Sequence, residues 1–213
     1  MAVPTNTAKY VTEFTGTFFL VLAIALTGNA FVIGATLAAL VYVGGHISGG
    51  HYNPAVTLGV YLRKKIHAHD ALIYVSVQLL AAVVAAAAYE ILKGQGVLLT
   101  VAPGVGVSFA TALLAEVIFT FLLVSTVLHT ATSERANGNQ YYGLAIGISL
   151  MVGVASAGAI SGGAFNPAVG IGANLYDIST VGEHLSNLVL YSVGPLLGSI
   201  VAFLLFRVTS AER

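Results

Sequence analysis

Residues 48–56 read Ser48-Gly49-Gly50-His51-Tyr52-Asn53-Pro54-Ala55-Val56, and residues 161–169 read Ser161-Gly162-Gly163-Ala164-Phe165-Asn166-Pro167-Ala168-Val169. The second copy follows the first by 113 positions (166 minus 53), and laying 46–62 on 159–175 gives ten identities in 17 positions. Each copy has one grammar. A Gly pair lets the backbone bend and approach closely. An Asn then offers a helix cap, and Pro follows where a first turn has no use for its missing N–H. About ten helix-compatible residues after each Pro reach roughly 15 Å, half of a ~30 Å hydrocarbon core. Two such half-helices, entering from opposite faces and meeting at their Asn-Pro-Ala tips, would together make one full span.

Composition sets the medium. The chain is 57% hydrophobic and 8% charged, with mean hydropathy +0.92, against about 25% charged in a soluble domain. A polytopic membrane protein is implied. The formal net charge of zero suggests no nucleic-acid partner, and the absence of Cys removes disulfide and thiolate chemistry. Apolar runs from Tyr10 to Thr27, from Ala30 to about Gly45 and from Ala71 to Leu92 predict three spans around the first half-helix. Runs from about Val107 to Thr130, Tyr141 to about Gly158 and Leu185 to Phe206 predict three more, with a loop holding Asp177 and Glu183 before the last. The N-terminus shows no cleavable leader pattern, so the first run is expected to stay as a span.

The repeat extends beyond the motif, since Glu13, Thr17 and Phe18 match Glu116, Thr120 and Phe121 at an offset of 103 (116 minus 13). Each half is then span, span, half-helix, span. Three spans per half is odd, so the second half must sit inverted, with its site at the midplane. The expected fold is an all-α membrane protein of six transmembrane helices and two re-entrant half-helices. It forms one channel domain over 1–213, with repeats at 8–93 and 107–207. Lys9, Arg63, Lys64, Lys65, Arg135, Arg207 and Arg213 fall on one side and Lys93 on the other. That asymmetry predicts both termini in the cytoplasm.

Non-helical backbone at membrane depth must line water or be buried in protein. The carbonyls of Gly50, His51 and Tyr52 and of Gly162, Gly163 and Ala164 are expected to form a ladder for water or a small solute. Two facing half-helix N-termini carry roughly +0.5 charge each, which repels cations. The Asn53 and Asn166 amides add donors that would turn a passing water and break a proton-relaying chain. Glu13 and Glu116, costly in lipid, are read as braces for the re-entrant backbone, with a proton relay as the alternative. Packing is preferred over metal binding for His51, and structural roles are preferred for His46 and His129. His67-Ala68-His69-Asp70 is read as a solvated turn, and Gly143 with Gly147 as internal helix packing.

The two motifs, HISGGHYNPAV and AISGGAFNPAV, resemble the signature loops of the aquaporins, or major intrinsic proteins. The spans, the inversion and the two glutamates agree along essentially the whole chain. A passive channel without a cofactor is expected, not an enzyme, since no nucleophile–base or metal set is visible, and short termini and loops suggest a cell membrane. The resemblance implies a homotetramer with one pore per subunit. It also places an outer constriction at Ile33, Val154, Gly163 and Val169. Val169 stands where the family usually has Arg, so the ring is expected to be apolar and wide, passing ammonia, urea or hydrogen peroxide besides water. Gly170 and Ala173 resemble the water-type pattern more than the glycerol type, and Ser192 stands where a Trp is usual. A secondary transporter built on inverted repeats is the alternative, and a shut scaffold is a second rival.

Overall fold

The computed structural model describes residues 4–176 and 185–210. Its helices are α1 (Asn6–Thr27), α2 (Ala30–Ser48), α3 (Pro54–Leu62), α4 (Ala68–Lys93), α5 (Phe109–Val127), α6 (Tyr142–Ser161), α7 (Pro167–Tyr176) and α8 (Leu185–Thr209). Six of these are long and apolar enough to cross a membrane, and α3 and α7 are the half-length elements. The expected spans are all found, several extended by a few residues at their polar ends. Asp70, assigned to a turn, lies in the first turn of α4 and accepts a 2.7 Å hydrogen bond from Tyr10. The fourth span ends differently too. After α5 the chain widens into a π-turn, Leu128–Thr132, before a short 3₁₀ turn, Glu134–Ala136. Asp177, Glu183 and Arg213 lie outside the described residues.

Local chemistry sets the ends. Thr5, Asn29 and Ser108 cap α1, α2 and α5 with side-chain oxygens, meeting donors that a helix start leaves orphaned. Gly28 ends α1 in the left-handed region at φ 59°, which Gly enters freely. Helix packing then repeats by halves. α1 packs on α2 and α4 as α5 packs on α6 and α8. The halves are sewn together by exchange, since α3 lies against α8 and α7 against α4. α2 and α6 cross between the halves at Gly34 and Gly147, where a Cβ on Gly34 would stand 2.6 Å from the Gly147 carbonyl oxygen. Gly143 lies under Tyr42 on the same seam. The pair is therefore internal packing, as small residues allow in lipid.

The polar groups are gathered inside and the apolar ones largely face outward, the reverse of a soluble core. Glu13, Thr17, Gln78, Glu116 and Thr120 are wholly buried, whereas Phe31, Leu72 and Ile91 are among many exposed apolar side chains. A bilayer is the solvent that this distribution fits.

Candidate functional site: a paired half-helix centre

α3 and α7 begin at Pro54 and Pro167 and meet at those tips. The approach to each is bent through the left-handed region. Gly49 and Gly50 have φ of 95° and 64°, and Gly162 and Gly163 have 86° and 67°. The same hand is imposed on two residues with side chains, Tyr52 (φ 51°) and Phe165 (φ 47°). Such backbone is unfavourable for aromatic residues and persists only where surroundings over-determine it.

The buried glutamates supply that determination. Glu13 Oε1 accepts from the Ser48 hydroxyl at 2.7 Å and the His51 N–H at 2.9 Å. Its Oε2 accepts from the Tyr52 N–H at 2.7 Å and Gln78 Nε2 at 2.9 Å. Glu116 repeats the pattern with Ser161 at 2.7 Å, Ala164 N–H at 3.1 Å and Phe165 N–H at 2.8 Å. One tyrosine closes each loop from the third span of its half. Tyr74 donates to the Ser48 carbonyl at 2.7 Å and Tyr191 to the Ser161 carbonyl at 2.6 Å. The Tyr52 ring packs so closely on Gly16 and Gly44 that neither position has room for a Cβ.

At the centre, the asparagines are held at both ends of the amide. Asn53 Oδ1 accepts from Ala55 N–H at 2.8 Å, and Asn166 Oδ1 from Ala168 N–H at 2.9 Å. Their nitrogens cross the junction. Asn53 Nδ2 donates to the Phe165 carbonyl and Asn166 Nδ2 to the Tyr52 carbonyl, both at 2.9 Å. An amide has two N–H donors, so each Asn keeps one for a solute. The Tyr52 carbonyl, expected in the ladder, accepts from Asn166 with one of its two lone pairs, which leaves one for a solute. The cross-bonds were not legible, because they depend on the two tips meeting in space.

Asn53, Asn166, His51, Gly50, Ala164 and Val169 line a small enclosed cavity of about 20 Å³ at this junction, with aliphatic residues such as Leu20, Val56 and Leu150 completing the wall. That is room for about one water. His51 and Val127 also line a wider cavity of about 600 Å³ on the face of the chain termini, with Lys9, His46, Lys65, His67 and Glu134. The Thr57 hydroxyl stands 3.1 Å from both the His51 ring nitrogen Nδ1 and the Asn53 carbonyl, which ties the His51 ring to the first turn of α3. Of the four constriction positions, Val169 reaches the central cavity, and Gly163 lies buried in the second bend. Ile33 packs in the core cluster with Leu37 and Leu150, and Val154 is half-buried against it. His129 bonds the Ser125 carbonyl and the Thr209 hydroxyl, both at 2.8 Å.

Inverted halves around two capped half-helices, with a water-sized cavity between their tips, define a membrane pore. The chain belongs to the major intrinsic protein family, whose model matches residues 2–206. It is 33% identical to Aquaporin AqpM of Methanothermobacter thermautotrophicus, covering 97% of this chain and 98% of that protein. It is 34% identical to Glycerol uptake facilitator protein-like 6 of Lactiplantibacillus plantarum, covering 96% and 99%. The X-ray structure of the aquaglyceroporin from Plasmodium falciparum superposes with a TM-score of 0.80 at 20% identity, over 95% of this chain and 96% of that one. The last likeness concerns the fold. The protein is thus a membrane channel for water or small solutes, and not an enzyme.

Proposed function

We propose that the channel conducts water and small uncharged solutes (ammonia, urea and hydrogen peroxide) and excludes ions and protons at Asn53 and Asn166. The observation that carries this is the pair of cross-bonded amides at the two helix N-termini beside a cavity of about 20 Å³. Facing dipoles oppose a cation, and fixed donors on both sides orient a single-file water. Val169 in that wall, with Ile33, Val154 and Gly163 in the outer ring, adds no side-chain charge. Glu13 and Glu116 are committed to loop donors, which leaves a coupled transporter without an evident midplane relay. The termini face the cytoplasm of a cell membrane in this reading, and the protein is a homotetramer with one pore per subunit.

Stopped-flow measurements on proteoliposomes, comparing water, glycerol, urea, ammonia and hydrogen peroxide, test the reading. Conductance should be passive and unsaturated for water and the three named solutes, with no dissipation of a pH gradient. Flux that needs an ion gradient would return the transporter alternative.

A further inference from the structure

Behind the pore lies a third cavity, which the conduction path does not use. A crevice of about 410 Å³ opens on the outer side of the half-helices, between α4 and α8, with Pro54 and Pro167 at its floor. Its walls include Tyr61, Leu72, Leu79 and Leu196. Among the described residues α4 and α8 flank it without forming a packed interface, though each packs on α3 and α7. Two hydroxyls below the rim are already committed, Thr57 to the Asn53 carbonyl and Ser192 to the Leu188 carbonyl at 2.7 Å. A water there would lack the two to four polar partners that it needs. At the half-helix tips the surroundings are hydrocarbon, and the matching occupant is a lipid tail.

The rim supplies the other half of a lipid site. Tyr61 and Ala68 bracket the end nearer the chain termini, and between them runs Arg63-Lys64-Lys65. Arg63 lies 4.8 Å over the Phe206 ring, and Lys65 pairs with Glu134 at 2.9 Å. Lys64 is exposed, stands at φ 60°, and has no ion pair among the described residues. A cation at the membrane surface, three residues from the wall of an apolar crevice, matches a phosphate joined to an acyl chain.

We infer that this crevice binds an anionic phospholipid of the leaflet on the side of the termini, with one acyl chain reaching the Pro54–Pro167 floor and the phosphate at Lys64. The seated chain backs both half-helices from the side opposite the pore. The inference rests on the membrane fold, not on which solutes pass.

The chain has no Trp, so one introduced at Leu72 on the rim reports on the occupant. Leu204, exposed on α8 outside the crevice and at similar depth by residue count, is the reference position. Each single-Trp channel is reconstituted in phosphatidylcholine with increasing dibrominated phosphatidylglycerol and excited where Tyr contributes little. Quenching in the Leu72→Trp channel should saturate at low mole fraction, while in Leu204→Trp it follows the bulk fraction. Adding Lys64→Asn, a residue that tolerates positive φ, should weaken the apparent lipid affinity of the Leu72→Trp channel roughly five-fold, the scale of one surface cation. Three results would overturn the inference: equal quenching at both positions, equal saturation with brominated phosphatidylcholine, or no quenching at Leu72→Trp because a second copy of the chain covers the crevice. None of these readouts depends on flux, so the solute reading can fail independently.

Discussion

At the residue scale the pore centre rests on which atom of an amide faces which way. Asn53 and Asn166 are each fixed by a cap at Oδ1 and a cross-bond at Nδ2, so the remaining N–H of each has a set direction. Asn166→Asp keeps the cap but turns the cross-bond into a contact between two acceptors, and its charge offsets the positive end of α7. The expected result is a cation or proton leak in vesicles carrying a pH gradient, with none in the parent; Asn53→Asp should behave alike. A parent that already leaks removes the premise. The glutamates give a second contrast. Glu116→Leu would strand two backbone N–H groups and the Ser161 hydroxyl, about 1–3 kcal/mol for each buried donor. Glu116→Gln retains one oxygen and can keep Ser161 and Ala164 satisfied. Thermal unfolding in detergent should rank parent above Gln above Leu. Normal stability in Glu116→Gln with flux selectively lost would assign a relay instead.

The elements show how far the chain could be read without coordinates. Six spans and two half-spans were legible because each apolar run is long and each break carries Gly, Asn or Pro. The motif offset of 113 and the first-span offset of 103 revealed the inversion. A third offset, 117 between Tyr74 and Tyr191 (191 minus 74), went unread, although it joins the two tyrosines that clamp the loops. The changing offsets reflect unequal connections between otherwise matched spans. Gln78 and Thr57 were missed for another reason: their partners lie in the first half, and the matched positions of the second half do not repeat them. Nor does any pattern of side chains announce the π-turn after α5. The α2–α6 seam provides the element-scale test. Gly147→Ala would press a methyl group into the Gly34 backbone, which cannot yield as a side chain tip can, and overpacking of this kind costs about 1–3 kcal/mol. Gly158→Ala, on the same helix, would meet nothing nearer than Val154 Cγ1 at 3.8 Å. Melting temperature should fall for the first variant and hold or rise for the second. Equal behaviour would mean that the seam is not a close contact.

For the whole molecule, the proposed selectivity divides the work between two levels of one pore. In our proposal charge exclusion belongs to the centre, where two helix ends from opposite membrane faces converge, and neither half alone could supply it. Size and polarity selection belongs in our proposal to the outer ring, where Val169 offers neither charge nor a side-chain donor. That position lies in the first turn of α7 and also borders the central cavity, so a change there reaches the lumen without passing through the asparagine lock. Val169→Arg would narrow the ring, add fixed donors and place a cation at its edge. Two outcomes compete for the parent: an apolar ring that is wide admits neutral solutes, and one that is narrow empties by dewetting. Gly163 brings no side chain and Val is much shorter than Arg, so width is expected to prevail. In paired stopped-flow measurements, Val169→Arg should then reduce urea, ammonia and peroxide permeability by a larger factor than water permeability, with ion exclusion unchanged in both proteins. If the parent rejects the three solutes as sharply as Val169→Arg does, the wide ring is refuted. If the variant conducts more water than the parent, the apolar ring was a dewetting barrier.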